Sequence, residues 1–520
     1  MQRLCRQKVL DIVRGAHRPT RNALLEGTPT RIFPLERQHL ASLHPNHKHQ
    51  MNPDDFHSLL CRKIKKASRR IYLASLYVGP ACDPQVHRQE ARLLQALERV
   101  TRHNHTLDVK ILLDKSRGLR PVPIQGSNAT ITSAEACRRA LSTLSNHPSG
   151  SKSTASSSVY LHSVLSSFIQ TLLPNPLDEV AGVFHIKAYV MDDDLVLTGA
   201  NLSEEYFLDR HDRYLHILDG GNGIVDWYAQ LIQILCDHSE EYRGENKALG
   251  KGKPRKDLVH AVRSHFHDPE SSLDTGDLRN ALNDADMGQD TSSIVAWACP
   301  TFQFPQMYRA NYRSDSQVFE DLLTATNDDQ RATPSILRVA SAYLNPSTNL
   351  QKAWQSLSSI LCLTAGFESH GFRPKKKAGN KGRTWIPAVF DKLARKLNTL
   401  DKVSVYYFTR KDWTFHAKGL WFSSCGKGEC SSISTRSPRF GETEDLVCVS
   451  HGSGNYGERS ECRDMESNLY LILPVGSPLI RLYKEEWNSM CDFAVATQTS
   501  PEQALPWHIH FIFPFIKGLF

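Results

Sequence analysis

Phe184-His185-Ile186-Lys187-Ala188-Tyr189 is an apolar run broken by one imidazole and one ammonium, and it has an echo. The same Phe-His-x-Lys order returns at Phe415-His416-Ala417-Lys418-Gly419-Leu420-Trp421. Alternate residues of a β-strand share a face, so His185 and Lys187 project together, as do His416 and Lys418. A single His-x-Lys carries little information. Two copies with matching surroundings carry much more.

The surroundings match. Thr198-Gly199-Ala200-Asn201 follows the first copy and Gly452-Ser453-Gly454-Asn455 the second, and an acid stands 11 residues after each asparagine, Asp212 and Glu466. The spacing from His to Asn differs, 16 residues against 39. The surplus falls in the Ser/Gly/Cys-rich segment from about Ser423 to Glu444, which reads as a surface loop inserted between two strands. Upstream, the run from Arg70 to Tyr77 resembles that from Leu337 to Tyr343, each a buried strand ending in a polar turn. The pattern predicts an α/β chain built from two copies of one α/β/α unit that share a site.

A chain of 520 residues can hold two sizeable cores, and 40% hydrophobic with 23% charged residues is ordinary for a globular protein. The net charge of +8 favours phosphate-bearing partners without choosing among nucleic acid, nucleotide and anionic lipid. Twelve cysteines are scattered without paired spacing, which argues against a disulfide framework. Cys425 and Cys430 lie close together, but no second pair completes a zinc site, so no metal and no cofactor is expected. No apolar run reaches the roughly 20 residues a spanning helix needs.

Five segments are expected. Residues 1–51 form a basic extension, with Leu4, Val9, Leu10 and Val13 on one stripe of a helix; a mitochondrial transit peptide and a disordered basic tail both fit. His44, His47 and His49 read as solvated tail. Residues 52–242 form the first unit, with helices over Asp54–Ser68 and Ile224–His238 and strands over Ile71–Val78 and Val109–Leu113. The polar end of that last strand offers Arg117 as a phosphate contact or as a plain turn arginine. Residues 243–291 are a linker, starting with the basic, glycine-containing run Arg243–Lys256. Residues 292–493 form the second unit, with a helix over Asp315–Thr326. Its basic loop from Arg373 to Arg383 offers Lys375, Lys376 and Lys377 for phosphate or headgroup contact, against a merely solvated run. Residues 494–520 are an apolar tail, interrupted by Pro514, that packs on the core or inserts at an interface.

Two His-x-Lys strands brought together make a pocket of two imidazoles, two ammoniums and two amides. That set suits phosphoryl or phosphatidyl transfer without metal. One imidazole attacks phosphorus; the other protonates the departing oxygen and later deprotonates the acceptor. Lys187, Lys418, Asn201 and Asn455 can hold the non-bridging oxygens, and Asp212 and Glu466 can fix the imidazole tautomers.

These motifs resemble the phospholipase D superfamily, whose two His-x-Lys motifs form one site and a phosphohistidine intermediate. Leu197-Thr-Gly-Ala-Asn-Leu-Ser203, Tyr206-Phe207 and Arg210-His-Asp-Arg-Tyr214 are similar to the first motif of the eukaryotic phosphatidylglycerophosphate synthases, the CDP-diacylglycerol–glycerol-3-phosphate 3-phosphatidyltransferases. Thr414-Phe-His-Ala-Lys-Gly-Leu-Trp421, Gly452-Ser-Gly-Asn-Tyr456 and Arg463-Asp-Met-Glu-Ser-Asn468 are similar to the second. Ala74-Ser-Leu-Tyr-Val-Gly79 and Leu112-Leu-Asp-Lys-Ser-Arg-Gly118 also fit, and the resemblance runs from about residue 52 to 493.

The resemblance implies CDP-diacylglycerol and glycerol 3-phosphate as substrates, a mitochondrial location on the inner-membrane surface, and synthesis of phosphatidylglycerol phosphate on the route to cardiolipin. It adds Asp192, seven residues after His185, to the catalytic set, and Ser453 to the substrate-binding residues. The second copy has Ser423 at the position of Asp192, and the first has Gly199 at the position of Ser453. Such unequal halves imply fixed, different duties, with His185 the nucleophile and His416 the general acid/base. Two rivals remain: a phosphodiesterase that passes the group to water, and a non-catalytic lipid-binding protein. Exposed aromatics interleaved with basic residues are missing, which argues against a nucleic-acid partner.

Overall fold

The computed structural model describes residues 33–43, 51–142 except 84, 157–164, 182–218, 223–244, 253–266 except 254, 294–304, 335–373 except 356, 385–424, and 438–509 except 443, 504 and 508. The basic helix or tail of residues 1–25, the three tail histidines, the helix at 315–326, Lys375–Lys377, Cys425, Cys430 and the end of the apolar tail lie outside them.

Two sheets organise the described residues. One has seven strands in the order Tyr214–Leu218, Asp194–Thr198, Ala188–Met191, Arg70–Ser75, Asp108–Asp114, Ser157–His162, Glu240–Glu241. The other has nine, in the order Phe33–Glu36, Ile294–Gln303, Glu466–Ile472, Asp445–Gly452, Gly419–Ser424, Ser335–Ala340, Ser359–Ala365, Val403–Phe408, Ala494–Ala496. A run of seven strands has the same order in both. In each, a central strand (Arg70–Ser75 or Ser335–Ala340) pairs parallel with one neighbour and antiparallel with the strand that follows the His-x-Lys.

Strand periodicity distributes the core. Ala188 and Val190 point into a cluster shared with the other sheet, while Tyr189 and Met191 point to the opposite face of their own. Leu361 and Leu363 join the shared cluster, and Ile360 and Cys362 the outer face of the nine-stranded sheet. Central strands buried on both faces therefore read as continuous apolar runs. The two sheets meet through one apolar layer, and each His-x-Lys, expected within a strand, lies immediately before one, with Ile186 and Ala417 packed into that layer.

The helix expected over Asp54–Ser68 spans Pro53–Lys66. Asn52 caps it by accepting from the N–H groups of Asp54 and Asp55, and Pro53 occupies the first turn, where its missing N–H costs nothing. Phe56, Leu59, Leu60 and Ile64 are its buried face, each worth about 1.5–3 kcal/mol of burial.

Three segments expected outside the two units carry ordered structure. Phe33–Glu36 pairs antiparallel with Ile294–Gln303, because Phe33 and Leu35 alternate into the shared core. Within the expected linker, Arg255–Phe266 is a helix whose Leu258 and Val262, four residues apart, share one buried face. Ala494–Ala496 pairs with Val403–Phe408. Beyond it, Ile509 packs with Ile386, Val389, Phe390 and Leu393, whereas Trp507 is exposed.

Candidate active site

Each His-x-Lys segment is held by backbone from the other half of the chain. The His185 N–H donates to the Met465 carbonyl and the Met465 N–H to the Val183 carbonyl, both at 2.9 Å. In the same way His416 N–H donates to the His211 carbonyl at 2.8 Å and Thr414 N–H to Asp209 at 2.9 Å. Asp114, at the end of its strand, fixes the approach to His185 by accepting from Phe184 N–H at 2.8 Å.

The next residue along each holding segment is the acid. His185 Nδ1 consequently lies 3.0 and 3.1 Å from the two carboxylate oxygens of Glu466, and His416 Nδ1 lies 2.7 Å from Asp212 Oδ2. The orienting acids expected from their equal offsets do meet the imidazoles, but each serves the histidine of the opposite copy. A carboxylate at Nδ1 stabilises the proton there and leaves Nε2 of the neutral ring with its lone pair.

The ammoniums lie inside the same pocket. Lys187 Nζ donates to the His185 carbonyl at 2.7 Å; Lys418 Nζ donates to the His416 carbonyl at 3.1 Å and lies 2.8 Å from His416 Nδ1. Burial outweighs every neighbour here. It holds both imidazoles well below their ordinary range, with the nearby ammoniums acting in the same direction. It also lowers Lys187 strongly and brings Lys418 down to about 8 against the opposing pull of Asp212. Burial raises Glu466, and it raises Asp212 to about 6 although Lys418 opposes the shift. Burial therefore draws every one of these groups toward its neutral form, and an anionic phosphate beside them would favour the ammonium form of Lys187 and Lys418. Lys187 and His185 both act electrostatically on His416, which places the two copies around one pocket.

Asn201 lies beside the pocket, donating to Tyr206 Oη at 3.0 Å; the side-chain carbonyl oxygens of Asn201 and Asn455 are buried with no hydrogen-bond partner among the described residues. Ser453 Oγ accepts from Ser467 N–H at 3.2 Å, and its hydroxyl helps hold Glu466 ionised. Gly199, in the corresponding place of the first copy, leaves no room for a side chain. A Cβ there would stand 2.7 Å from Asp212 Oδ1 and 3.0 Å from Lys418 Nζ.

Asp192 is not brought to this pocket. It occupies the two-residue turn between Ala188–Met191 and Asp194–Thr198 with φ +50°, and its carboxylate accepts from the N–H groups of Ser68, Arg69 and Arg70 at 2.8–3.0 Å. In the second copy the insertion replaces that tight turn, so Ser423 stays in its strand and bonds Glu444 at 3.1 Å beside the buried Arg338. Arg117 sits 5.6 Å from the Tyr77 ring, at the edge of the site. Lys375, Lys376 and Lys377 lie outside the described residues.

Four contributors went unassigned in the sequence reading. Tyr206 Oη lies 3.4 Å from His416 Nε2, and the rings of Tyr206 and Tyr343 both stand edge-on to His416, at 5.1 and 5.9 Å. Ser460 donates to Glu466 Oε1 at 2.7 Å. Arg213, fully buried and paired with Glu486, donates to the Lys418 and Ser450 carbonyls at 2.9 and 2.7 Å. Gly419 (φ +153°) admits it, since a Cβ there would meet the Arg213 guanidinium at 1.8 Å. The available signal was offset: Tyr206 and Ser460 each stand five residues after their asparagine.

No protein-family model matches the chain. Among curated proteins it is 26% identical over 444 residues to a probable CDP-diacylglycerol–glycerol-3-phosphate 3-phosphatidyltransferase of Dictyostelium discoideum, covering 81% of this chain and 68% of that one. It is 27% identical over 510 residues to the mitochondrial enzyme of that name from Cricetulus griseus and 26% over 512 residues to that of Homo sapiens, with 90% of this chain and 82% of theirs covered. The chain is similar to the two mammalian phosphatidyltransferases across nine-tenths of its length and to the Dictyostelium one across four-fifths. Among solved structures, the phosphatidylserine synthase of Haemophilus influenzae Rd KW20 superposes with a TM-score of 0.62 at 18% identity, covering 94% of both chains. At that identity the superposition shows the fold, a mixed α/β arrangement of two large sheets as expected from the two motifs.

Proposed function

We propose that the chain is a CDP-diacylglycerol–glycerol-3-phosphate 3-phosphatidyltransferase whose two halves form one pseudo-symmetric site. The observation that carries this reading is the crossed arrangement, in which each imidazole is oriented through Nδ1 by an acid from the other half. The similarity over nine-tenths of the chain supplies the substrates.

His185 is the nucleophile. Its Nε2 has no hydrogen-bond partner among the described residues, whereas His416 Nε2 is met by the Tyr206 hydroxyl at 3.4 Å. Nε2 of His185 attacks the diacylglycerol-linked phosphorus, the bond from phosphorus to the CMP oxygen breaks, and His416, entering the cycle as the imidazolium, gives its Nε2 proton to that oxygen. The 1-hydroxyl of glycerol 3-phosphate then loses its proton to His416 and attacks phosphorus. The phosphorus–nitrogen bond breaks, releasing phosphatidylglycerol phosphate and a neutral His185. Lys187 and Lys418 hold the non-bridging oxygens, with the side-chain N–H groups of Asn201 and Asn455 as further donors.

The mitochondrial names of the relatives support the same compartment. No helix among the described residues is long and apolar enough to cross a membrane. The net charge of +8 supports peripheral attachment to an anionic inner-membrane surface.

The test is CMP release from CDP-diacylglycerol by wild type and His185→Ala, with and without glycerol 3-phosphate and without added metal. Release that depends on the acceptor, yields phosphatidylglycerol phosphate and disappears in the variant is the expected result. Equal release without acceptor would make the protein a phosphodiesterase, and no release by folded wild type would leave lipid binding as its activity.

A further inference from the structure

The halves carry the same ion pair with its polarity reversed. Four and nine residues after Asn201 stand Glu205 and Arg210; four and nine after Asn455 stand Arg459 and Asp464. Arg210 Nη2 donates to Glu205 Oε2 at 2.8 Å, and Arg459 Nε donates to Asp464 Oδ2 at 3.1 Å. In both halves the later residue is the deeper one, 6% and 5% exposed against 24% and 28% for its partner. In both it also grips the residue two before the histidine: Arg210 Nε donates to Thr414 Oγ1 at 3.2 Å, and Asp464 Oδ1 accepts from Val183 N–H at 3.0 Å.

A pair that only braced the strand could have either polarity. Reversal instead makes the flank of His416 cationic and the flank of His185 anionic. Three further observations concern the His416 flank. The Arg210 guanidinium lies 4.4 Å over the ring of Tyr206, which itself touches His416, and its Nη1 has no partner among the described residues. A Cβ on Gly371 would stand 2.8 Å from the Tyr343 hydroxyl and 3.7 Å from Arg210 Nη2, so this glycine keeps a small space open between them. Tyr77, which donates to Glu205 at 3.2 Å, carries a second guanidinium, Arg117, over its ring. Arg117 thus reaches the tyrosine that bonds Glu205, close to the Arg210–Glu205 pair.

We infer that Arg210, with Arg117 and the Tyr343 hydroxyl, forms the subsite that reads the phosphomonoester of the acceptor alcohol. The inference rests on the transferase reading above. An acceptor whose hydroxyl is deprotonated at His416 carries its phosphate a few ångströms away on that side. The phosphate is close to dianionic at neutral pH, and Arg is the side chain that binds it with directed, charge-assisted bonds. The same dianion beside His185 would meet Asp464 and Glu466. The reversed pair therefore orients the acceptor as well as binding it.

The experiment compares wild type, Arg210→Gln, Arg210→Lys and Glu205→Gln with glycerol 3-phosphate and with glycerol as acceptors. Exchange of labelled CMP into CDP-diacylglycerol without acceptor is measured alongside. Arg210→Gln should raise KM for glycerol 3-phosphate about 10–100-fold and lower its preference over glycerol by a similar factor, the usual worth of a charge-assisted contact. CMP exchange should stay within about 3-fold, and Arg210→Lys should recover part of the preference because it keeps the charge. Glu205→Gln, which leaves Arg210 charged, should hold or lower that KM. Unchanged KM in Arg210→Gln, or equal losses of exchange and transfer in both Arg210→Gln and Glu205→Gln, would reduce the pair to a strand brace and overturn the inference. Should Arg210→Gln fail to fold, the Lys and Glu205 variants decide. A wild type that ignores glycerol 3-phosphate overturns the transferase reading itself, a result the variants cannot mimic.

Discussion

The two histidines occupy matched positions and meet different surroundings. His185 presents an Nε2 with no partner among the described residues, has Glu466 behind it, and is flanked by the carboxylate of Asp464 and the hydroxyls of Ser453 and Ser460. His416 is more deeply enclosed, with Asp212 behind, Tyr206 at Nε2, and Arg210 at its flank. The repeated motif supplies two imidazoles, each able to act as nucleophile or as acid/base. On the proposed reading the division of labour comes from what surrounds each ring, because identical imidazoles on a symmetric pocket would have no reason to play one part rather than the other.

The sharpest way to break the comparison is to delete each ring in turn. His185→Ala should abolish both CMP release and transfer, a loss of about 10⁴-fold or more, since no nucleophile remains. His416→Ala should cost less, about 10²–10⁴-fold, as expected for losing general acid/base help. It should also let a phosphatidyl-protein adduct accumulate, visible as lipid label retained after an acid quench. Adduct in His185→Ala and none in His416→Ala would reverse the assignment.

Asp212 and Lys418 give the next test, because they titrate within reach. Asp212 orients His416 only as a carboxylate, and burial raises it to about 6; Lys418 holds an oxyanion only as an ammonium, and burial lowers it to about 8. Activity should therefore fall below about pH 6 as Asp212 protonates, and above about pH 8 as Lys418 loses its proton. The profile of kcat/KM reports both limbs. Asp212→Asn should cost about 10²–10⁴-fold and remove the acid limb while the alkaline limb stays. An acid limb that survives in Asp212→Asn would assign it to another group.

Gly199 and Ser453 sharpen the same contrast by exchange. Gly199→Ser places atoms within 3 Å of Asp212 and Lys418, so a loss of about 10–100-fold in kcat is expected, the effect of overpacking a site by 1–3 kcal/mol. Ser453→Gly removes one hydroxyl from Glu466, which Ser460 still holds at 2.7 Å, and should cost only about 3–10-fold. Equal losses from the two exchanges would mean that the pockets tolerate each other's residue.

Much of this was legible in the sequence because repetition makes weak signals strong. His185, Lys187, Asn201 and Asp212 could be recognised once His416, Lys418, Asn455 and Glu466 stood in the same order, and the α/β layering followed from apolar runs of strand and helix length. What was not legible depended on contacts between distant segments. Nothing in the spacing says that Glu466 serves His185 and Asp212 serves His416; those contacts join residues 281 and 204 apart in sequence. Nor does an isolated strand such as Phe33–Glu36 or a helix such as Arg255–Phe266 announce which core will cover it, since four residues or two leucine-sized side chains give too little periodicity. Asp192 is the instructive miss. Its position seven residues after His185 carried it into the catalytic set, whereas the chain uses it at the far end of the strand.

That last residue yields the smallest effect and the cleanest separation of scaffold from chemistry. Asp192 ties the turn after the His185 strand to the N-terminus of the central strand, through three backbone N–H groups and the Ser68 hydroxyl. Burial pulls its carboxyl up, but the N–H groups of Arg70, Arg69 and Ser68 together outweigh that and leave it below its ordinary range. A carboxyl depressed in the folded state contributes stability at neutral pH and loses it as pH falls through the folded value. Asp192→Ala should therefore lower stability by about 1–3 kcal/mol at pH 7, measured by denaturant unfolding, with the gap to wild type closing as pH drops below about 4. Turnover at a temperature where both proteins are folded should change by less than about 3-fold, because the carboxylate reaches no reacting atom. The opposite pattern, unchanged stability with lost turnover, would return Asp192 to the active site and would mean that the two strands transmit strain from the turn to His185.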